Sequence, residues 1–168
     1  RMLDIGGGEG RFVRSVAAAV PGLALGLFDL PAVAERATSA FAAEGLAAQI
    51  SAHGGNFLAD PLPVGYDLMT LVRVLHDHDD APASQLLRNI AAALPPGGRL
   101  VIAEPMAETK GAETIGDAYF GLYLWAMGSG RPRSARAIRA MLKSAGFRRS
   151  WQVTTALPIN VSVVVAQT

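Results

Sequence analysis

Leu3-Asp4-Ile5-Gly6-Gly7-Gly8-Glu9-Gly10 decides how the rest of the chain is read. An apolar strand leads in and a helical pattern leads out from Arg11. Glycines between them let the backbone turn sharply and pass close to a ligand. Open α/β sheets bind ligands at the carboxyl ends of their strands, near the switch in strand order. A plain tight turn is the competing reading of any glycine cluster. The strand before it and the helix after it weigh against that here.

Outward from this turn, short apolar runs alternate with helical patterns. Strands are expected over residues 1–5, 23–28, 48–53, 66–75 and 100–103, the fourth ending at His76 and the fifth at Glu104-Pro105. Helices are expected over 11–20, closed by Pro21-Gly22, over 31–44, stopped by Gly45, and over 82–94, stopped by Pro95-Pro96-Gly97-Gly98. Strand then helix, read as five repeats, is the rhythm of a parallel sheet with helices on both faces. Runs without alternation suit strands covered on both sides. Residues 114–127 read as an aromatic helix, 128–133 as a loop and 134–145 as an amphipathic helix. Two β-rich segments, 147–155 and 160–167, predict an antiparallel hairpin at the sheet edge. The fold class is therefore α/β, with a mostly parallel sheet in one domain over 1–168.

The composition agrees with one folded domain. The 168 residues are 51% apolar and 17% charged, which excludes a disordered chain. Fifteen Lys+Arg against 14 Asp+Glu give a net charge of +1, too little to compensate many phosphates, so no nucleic-acid partner is expected. There is no cysteine, which excludes disulfides and cysteine-ligated zinc. The longest strongly apolar stretch, 120–127, falls far short of a transmembrane span. Because residues 1–5 already read as a buried strand, the chain is expected to be a fragment of a longer protein.

Several residues carry candidate chemistry. The nicotinamide fingerprint asks for a small residue where Arg11 stands. Asp29 follows the second strand, 19 residues after Gly10, where a carboxylate can accept hydrogen bonds from both ribose hydroxyls. Any adenosine-type cofactor predicts this residue, and a helix N-cap ahead of Pro31 competes with it. Leu75-His76-Asp77-His78-Asp79-Asp80 follows the fourth strand, on the same rim as the glycine turn. Asp80 reads as the N-cap of the next helix, Asp79 as a charge in its positive field, and His78 as a surface residue. His76 reads as a general base, since an imidazole of pKa about 6.5 can accept a proton near neutrality. A metal site in this loop is set aside, because alternate loop residues converge poorly on one ion. Glu104 ends the fifth strand on the same rim, where it is expected to orient His76 by a hydrogen bond, with a solvated strand-end acid as the competing reading.

Taken together, Asp4-Ile-Gly-Gly-Gly-Glu-Gly10, Phe28-Asp29-Leu30-Pro31, His53-Gly-Gly-Asn56-Phe57, Leu75-His76-Asp77 and Ala103-Glu104-Pro105 resemble the class I O-methyltransferases of plants and bacteria that act on small-molecule hydroxyls. These motifs occur in the family's order and cover most of the chain. Gly116-Asp117-Ala118-Tyr119-Phe120 and Gly130-Arg131-Pro132-Arg133-Ser134 resemble the branch that methylates hydroxylated acyclic carotenoids of the hydroxyneurosporene type in photosynthetic bacteria. The resemblance implies a Rossmann-like sheet that binds S-adenosylmethionine and releases S-adenosylhomocysteine. By position it implies that Asp4, Gly6 and Gly8 form the cofactor turn and that Asp29 holds the ribose. Asn56 and Phe57 would flank the adenine, with Arg73 beside the cofactor. His76 would be the base with Glu104 as its acid, and no metal is implied. Tyr119, Tyr123 and Met127 recur at helical spacing and would line the acceptor cavity, although core packing is the ordinary reading of such a stripe. Asn56 stands where the family commonly has Asp, and Pro132 where plant enzymes carry a second glutamate. The resemblance also implies an N-terminal helical domain, a homodimer in the full-length protein, and a cytoplasmic enzyme that is membrane-peripheral if its acceptor is a carotenoid. An NAD-dependent oxidoreductase and a non-enzymatic cofactor-binding or dimerisation domain are the competing functions.

Overall fold

The computed structural model describes residues 1–156 and 161–168. Its elements are β1 (Met2–Ile5), α1 (Arg11–Ala19), β2 (Leu25–Asp29), α2 (Pro31–Ala43), β3 (Ile50–Gly54), β4 (Leu68–Val72), α3 (Asp80–Ala93), β5 (Arg99–Glu104), α4 (Phe120–Met127), α5 (Ala135–Ser144), β6 (Arg149–Val153) and β7 (Ser162–Gln167). A π-helical turn, Thr114–Tyr119, runs directly into α4.

The seven strands form one sheet in the order β3-β2-β1-β4-β5-β7-β6. The first five are parallel, and β7 lies antiparallel between β5 and β6. Strand order reverses between β1 and β4, which places a crevice at their carboxyl ends. The expected hairpin is present, with its second strand on the inside. The first residue expected in that strand, Asn160, lies outside the described residues.

Successive side chains of a strand point to opposite faces, and this alternation sorts the core into two layers. Leu3, Ile5, Met69, Leu71, Leu100 and Ile102 pack with Leu86, Leu87 and Ile90 of α3 and with Ile138 and Leu142 of α5. Met2, Leu25, Leu27 and Ile50 pack with Val13 and Ala17 of α1 and with Ala37 and Phe41 of α2. Glu104 follows Leu100 and Ile102 at intervals of two, so it belongs to the α3 side. Asp4 and Thr70 belong to the α1 side.

Three expectations are corrected. No helix joins β3 to β4, so the strand–helix repeat breaks once. The apolar run 66–75 is a strand only over Leu68–Val72. Arg73 then takes a left-handed φ of 58° and the chain turns through a 3₁₀ segment, Leu75–Asp77. His76 therefore lies beyond the strand, on a turn. The third helix begins at Asp80, two residues before the expected start, with Asp79 at the N-cap position. Among the described residues no helix is long and apolar enough to cross a membrane.

The first crossover depends on Gly10, the residue before α1. Its φ is 84°, and a Cβ there would clash with the ring edge of Phe41, which is 1% exposed. Gly10→Ala combines left-handed strain with overpacking and is expected to destabilise the fold by roughly 2–4 kcal/mol, measured by urea denaturation. A loss too small to resolve would show that α2 can retreat from the turn.

Candidate active site

The glycine turn is held by the ends of β1 and β2. Gly6 N–H donates to the Phe28 carbonyl at 2.8 Å. Asp29 accepts from Gly8 N–H at 2.7 Å through Oδ2 and from Leu30 N–H at 2.7 Å through Oδ1. A carboxylate offers about four lone-pair sites, so Asp29 keeps acceptor capacity for a ligand. Asp29 is thus no side-chain cap of α2, which has none. Gly8 has a φ of 58°, and nothing stands within 4 Å of where its side chain would be. This open cradle beside a carboxylate fits an adenosine ribose.

Asp4 does not line the cradle. It is buried beneath it, with Thr70 Oγ1 donating to Oδ1 at 2.6 Å and Oδ2 lying 2.7 Å from where a Gly7 side chain would begin. Burial pushes its carboxyl up to about 6, against the Thr70 hydrogen bond and with Asp29 adding to the rise. Its role is to support the turn, which corrects the expectation of a ligand contact. Thr70 was missed in the sequence, although a threonine inside Leu68-Met69-Thr70-Leu71-Val72 is the one polar interruption of that run.

The turn abuts the segment leading to His76, because a side chain at Gly6 would start 2.8 Å from Val74. His76 itself is 2% exposed, buried beneath the rim where it is expected. The Phe120 ring packs on it at 5.9 Å. Its Nε2 lies 3.4 Å from Asp77 Oδ1, and its buried Nδ1 has no hydrogen-bond partner among the described residues. Burial lowers its pKa most, Asp77 opposes this, and the charges of Arg73 and Arg133 lower it further. These surroundings favour the neutral imidazole over the charged one.

Glu104 is fully buried, and its Oε2 accepts the backbone N–H of His76 at 3.1 Å. The expected bond to the imidazole is absent, and Glu104 Oε1 has no partner. The two orphan atoms, Nδ1 and Oε1, are complementary in chemistry. Burial raises the Glu104 carboxyl to about 7, while the His76 amide and the Arg133 charge lower it.

The acidic loop does not gather as a cluster. Asp80 is no cap: it pairs with Arg131 and Arg133, and they hold its carboxyl down at about 2. Asp79 accepts Gly130 N–H at 3.0 Å. His78 is half-buried, not a surface residue, and meets the Phe57 ring edge-on at 5.3 Å. Asn89 donates to the Phe57 carbonyl at 2.9 Å. Asn56 spends its side-chain carbonyl on Leu58 N–H at 3.0 Å, which leaves its NH₂ group for a ligand.

The π-helical turn and α4 close the other side. Tyr119, Tyr123 and Met127 are exposed, whereas Phe120 and Leu124 point inward. Tyr119 and Tyr123 touch Phe120 edge-on at 5.2 and 6.3 Å, so an aromatic path runs from the surface to His76. The Arg73 guanidinium sits 5.5 Å above Phe120. Phe120 and Arg133, like Thr70, are residues of the site that the sequence did not reveal. Nothing in Arg131-Pro132-Arg133 distinguishes the exposed arginine from the buried one.

Residues 1–148 match a family described as an O-methyltransferase domain. The chain is 44% identical over 167 residues to the demethylspheroidene O-methyltransferase of Rhodobacter capsulatus, covering 99% of this chain and 41% of that protein. It is 45% identical over 147 residues to the enzyme of the same name from Cereibacter sphaeroides, covering 88% and 39%. Thus the chain spans about two fifths of the length of these relatives. Among solved structures, PigF with SAH superposes with a TM-score of 0.87 at 30% identity, covering 99% of this chain and 50% of that one.

Folded Glu104 keeps its proton up to about 7, whereas the unfolded chain releases it near 4.5. The stability tied to this group is therefore full below 4.5 and is lost as pH rises through 7. Glu104→Gln does not titrate and keeps an acceptor for His76 N–H. Relative to the parent it should gain roughly 2–3 kcal/mol between about pH 4 and pH 8.5, measured by denaturant unfolding at both. An equal difference at the two pH values would refute the raised carboxyl.

Proposed function

The chain belongs to the O-methyltransferase domain family, and from that premise we propose that it is the S-adenosylmethionine-binding catalytic part of an enzyme that methylates a hydroxyl of a small apolar molecule. One observation carries this reading: a neutral, buried imidazole follows directly on the segment that abuts the glycine cradle.

Gly6 and Gly8 give the cofactor backbone to lie against, Asp29 accepts its ribose hydroxyls, and Asn56 and Phe57 flank its adenine. When bound, S-adenosylmethionine supplies a methyl group made electrophilic by the sulfonium. His76 takes the proton of the acceptor hydroxyl, so that the oxygen gains charge as its new bond forms. Glu104 balances the imidazolium once its own carboxyl is ionised, and its free oxygen suits Nδ1. Much of the acceleration comes from holding the hydroxyl in line for transfer. Phe120 covers His76, so the acceptor enters where that ring and the exposed Tyr119 and Tyr123 stand. An apolar path of this kind, with the names of the two bacterial relatives, supports a hydroxylated acyclic carotenoid as acceptor. In the whole protein, a helical domain pairing two copies covers this side.

Titration calorimetry with S-adenosylhomocysteine and with NAD tests the cofactor; binding of NAD alone would reverse the assignment. Asp29→Ala removes charge-assisted hydrogen bonds of about 1.5–3 kcal/mol each and should weaken S-adenosylhomocysteine by at least tenfold. In the full-length enzyme, His76→Ala should lower kcat by about 10²–10⁴-fold with cofactor affinity unchanged. Turnover at the parental rate would remove His76 as the base. A panel of phenols and tertiary carotenoid alcohols tests the acceptor, and activity on phenols alone would overturn the carotenoid.

A further inference from the structure

We propose that Arg133 is a positioning residue for the base: its buried guanidinium grips the peptide carbonyls on both sides of His76 and sets where the imidazole stands. The proposal rests on the reading of His76 as the base.

The turn carrying His76 has little structure of its own. It is three residues of 3₁₀ helix after a left-handed Arg73, too short for a self-supporting ladder. A distant segment, residues 129–133, supplies what it lacks. Arg133 Nη1 donates to the Leu75 carbonyl at 2.9 Å and Nη2 to the His78 carbonyl at 2.7 Å. Arg131 N–H donates to the His76 carbonyl at 2.9 Å, and Ser129 Oγ to the Asp77 carbonyl at 3.0 Å. Four consecutive carbonyls, 75 to 78, are thus held by one opposing strand of chain. The approach is so close that a side chain at Gly130 would strike the His76 carbonyl oxygen.

Arg133 is the centre of this clasp. Its side chain is 0% exposed, although arginine is rarely buried without a reason. Asp80 compensates the charge, accepting Nε at 3.0 Å and Nη2 at 2.8 Å, and is itself braced by Arg131 at 2.8 Å. A guanidinium can serve two carbonyls and a carboxylate from one rigid plane, which an ammonium cannot. The charged groups facing His76 are Asp77 on its own turn, Arg73 at the end of β4, Glu104 on β5 and Arg133 before α5. Arg133 therefore contributes a positive charge that favours the neutral ring as well as the grip.

Three variants of the full-length enzyme test this: Arg133→Lys, Arg133→Met and Asp80→Asn. Each is followed by kcat, acceptor KM, S-adenosylhomocysteine affinity by calorimetry, and the pH profile of kcat/KM. Arg133→Lys keeps the charge and loses the fork, so kcat should fall about 10²-fold while cofactor affinity and the acid limb stay in place. Arg133→Met should show the same fall, with the acid limb moved to higher pH because a cation near His76 is gone. Asp80→Asn should lower kcat in the same direction by a smaller factor. Parental kcat in the two Arg133 variants would overturn the proposal, and so would a parallel collapse of kcat and cofactor affinity in all three. If Arg133→Met fails to fold, Arg133→Lys and Asp80→Asn decide, and parental kcat in both overturns it. His76→Ala separates the premise: its full turnover removes the base whatever the Arg133 variants do. An inactive His76→Ala beside fully active Arg133 variants removes only the clasp.

Discussion

The two amide hydrogen bonds to Asp29 are the interaction on which the site depends. Through Gly8 and Leu30 one carboxylate joins the turn after β1 to the end of β2. Parallel neighbours bring these two strand ends side by side at the point where strand order reverses. The turn can then present bare backbone on its outer side, because its inner side is filled by Asp4, Thr70 and Leu27. The cradle is thus a consequence of strand pairing, and its carboxylate ties two strand ends together while keeping acceptor capacity on its open side.

Polar groups are buried at the same rim with incomplete compensation. His76 Nδ1 and Glu104 Oε1 each lack a partner, and an unmade buried hydrogen bond costs about 1–3 kcal/mol. Asp4 and Glu104 both carry carboxyls raised by burial. The rim is therefore a place where stability is given up, and the apolar layers under α1, α2, α3 and α5 offset it. Such groups gather where proton transfer needs them near neutrality.

The α4 side has a different character. Leu122, Trp125 and Met127 are exposed on α4, whose inward anchors are Phe120 and Leu124. The preceding π-helical turn shifts the helix register, so the aromatic that meets His76 is Phe120 and the tyrosines flank it. Such turns recur at functional sites, where the extra residue redirects side chains.

Much of this was legible in the sequence because it is local. Short apolar runs alternating with helical patterns pointed to the sheet, its helices and the hairpin, and the glycine turn with Asp29 pointed to the rim at the strand ends. His76 was readable as a residue type following an apolar strand. What the sequence left open was decided by contacts across long stretches of chain. Arg131 and Arg133 are two residues apart and chemically identical, yet one side chain is exposed and the other buried, because the Arg133 guanidinium turns inward to a carbonyl 58 residues away. Asp80 looked like a cap and became the anchor of that arginine. Glu104 was rightly placed beside His76, but on its backbone amide instead of its ring. Spacing along a strand says which face a side chain takes; which atom it meets there is settled by how the distant loops pack.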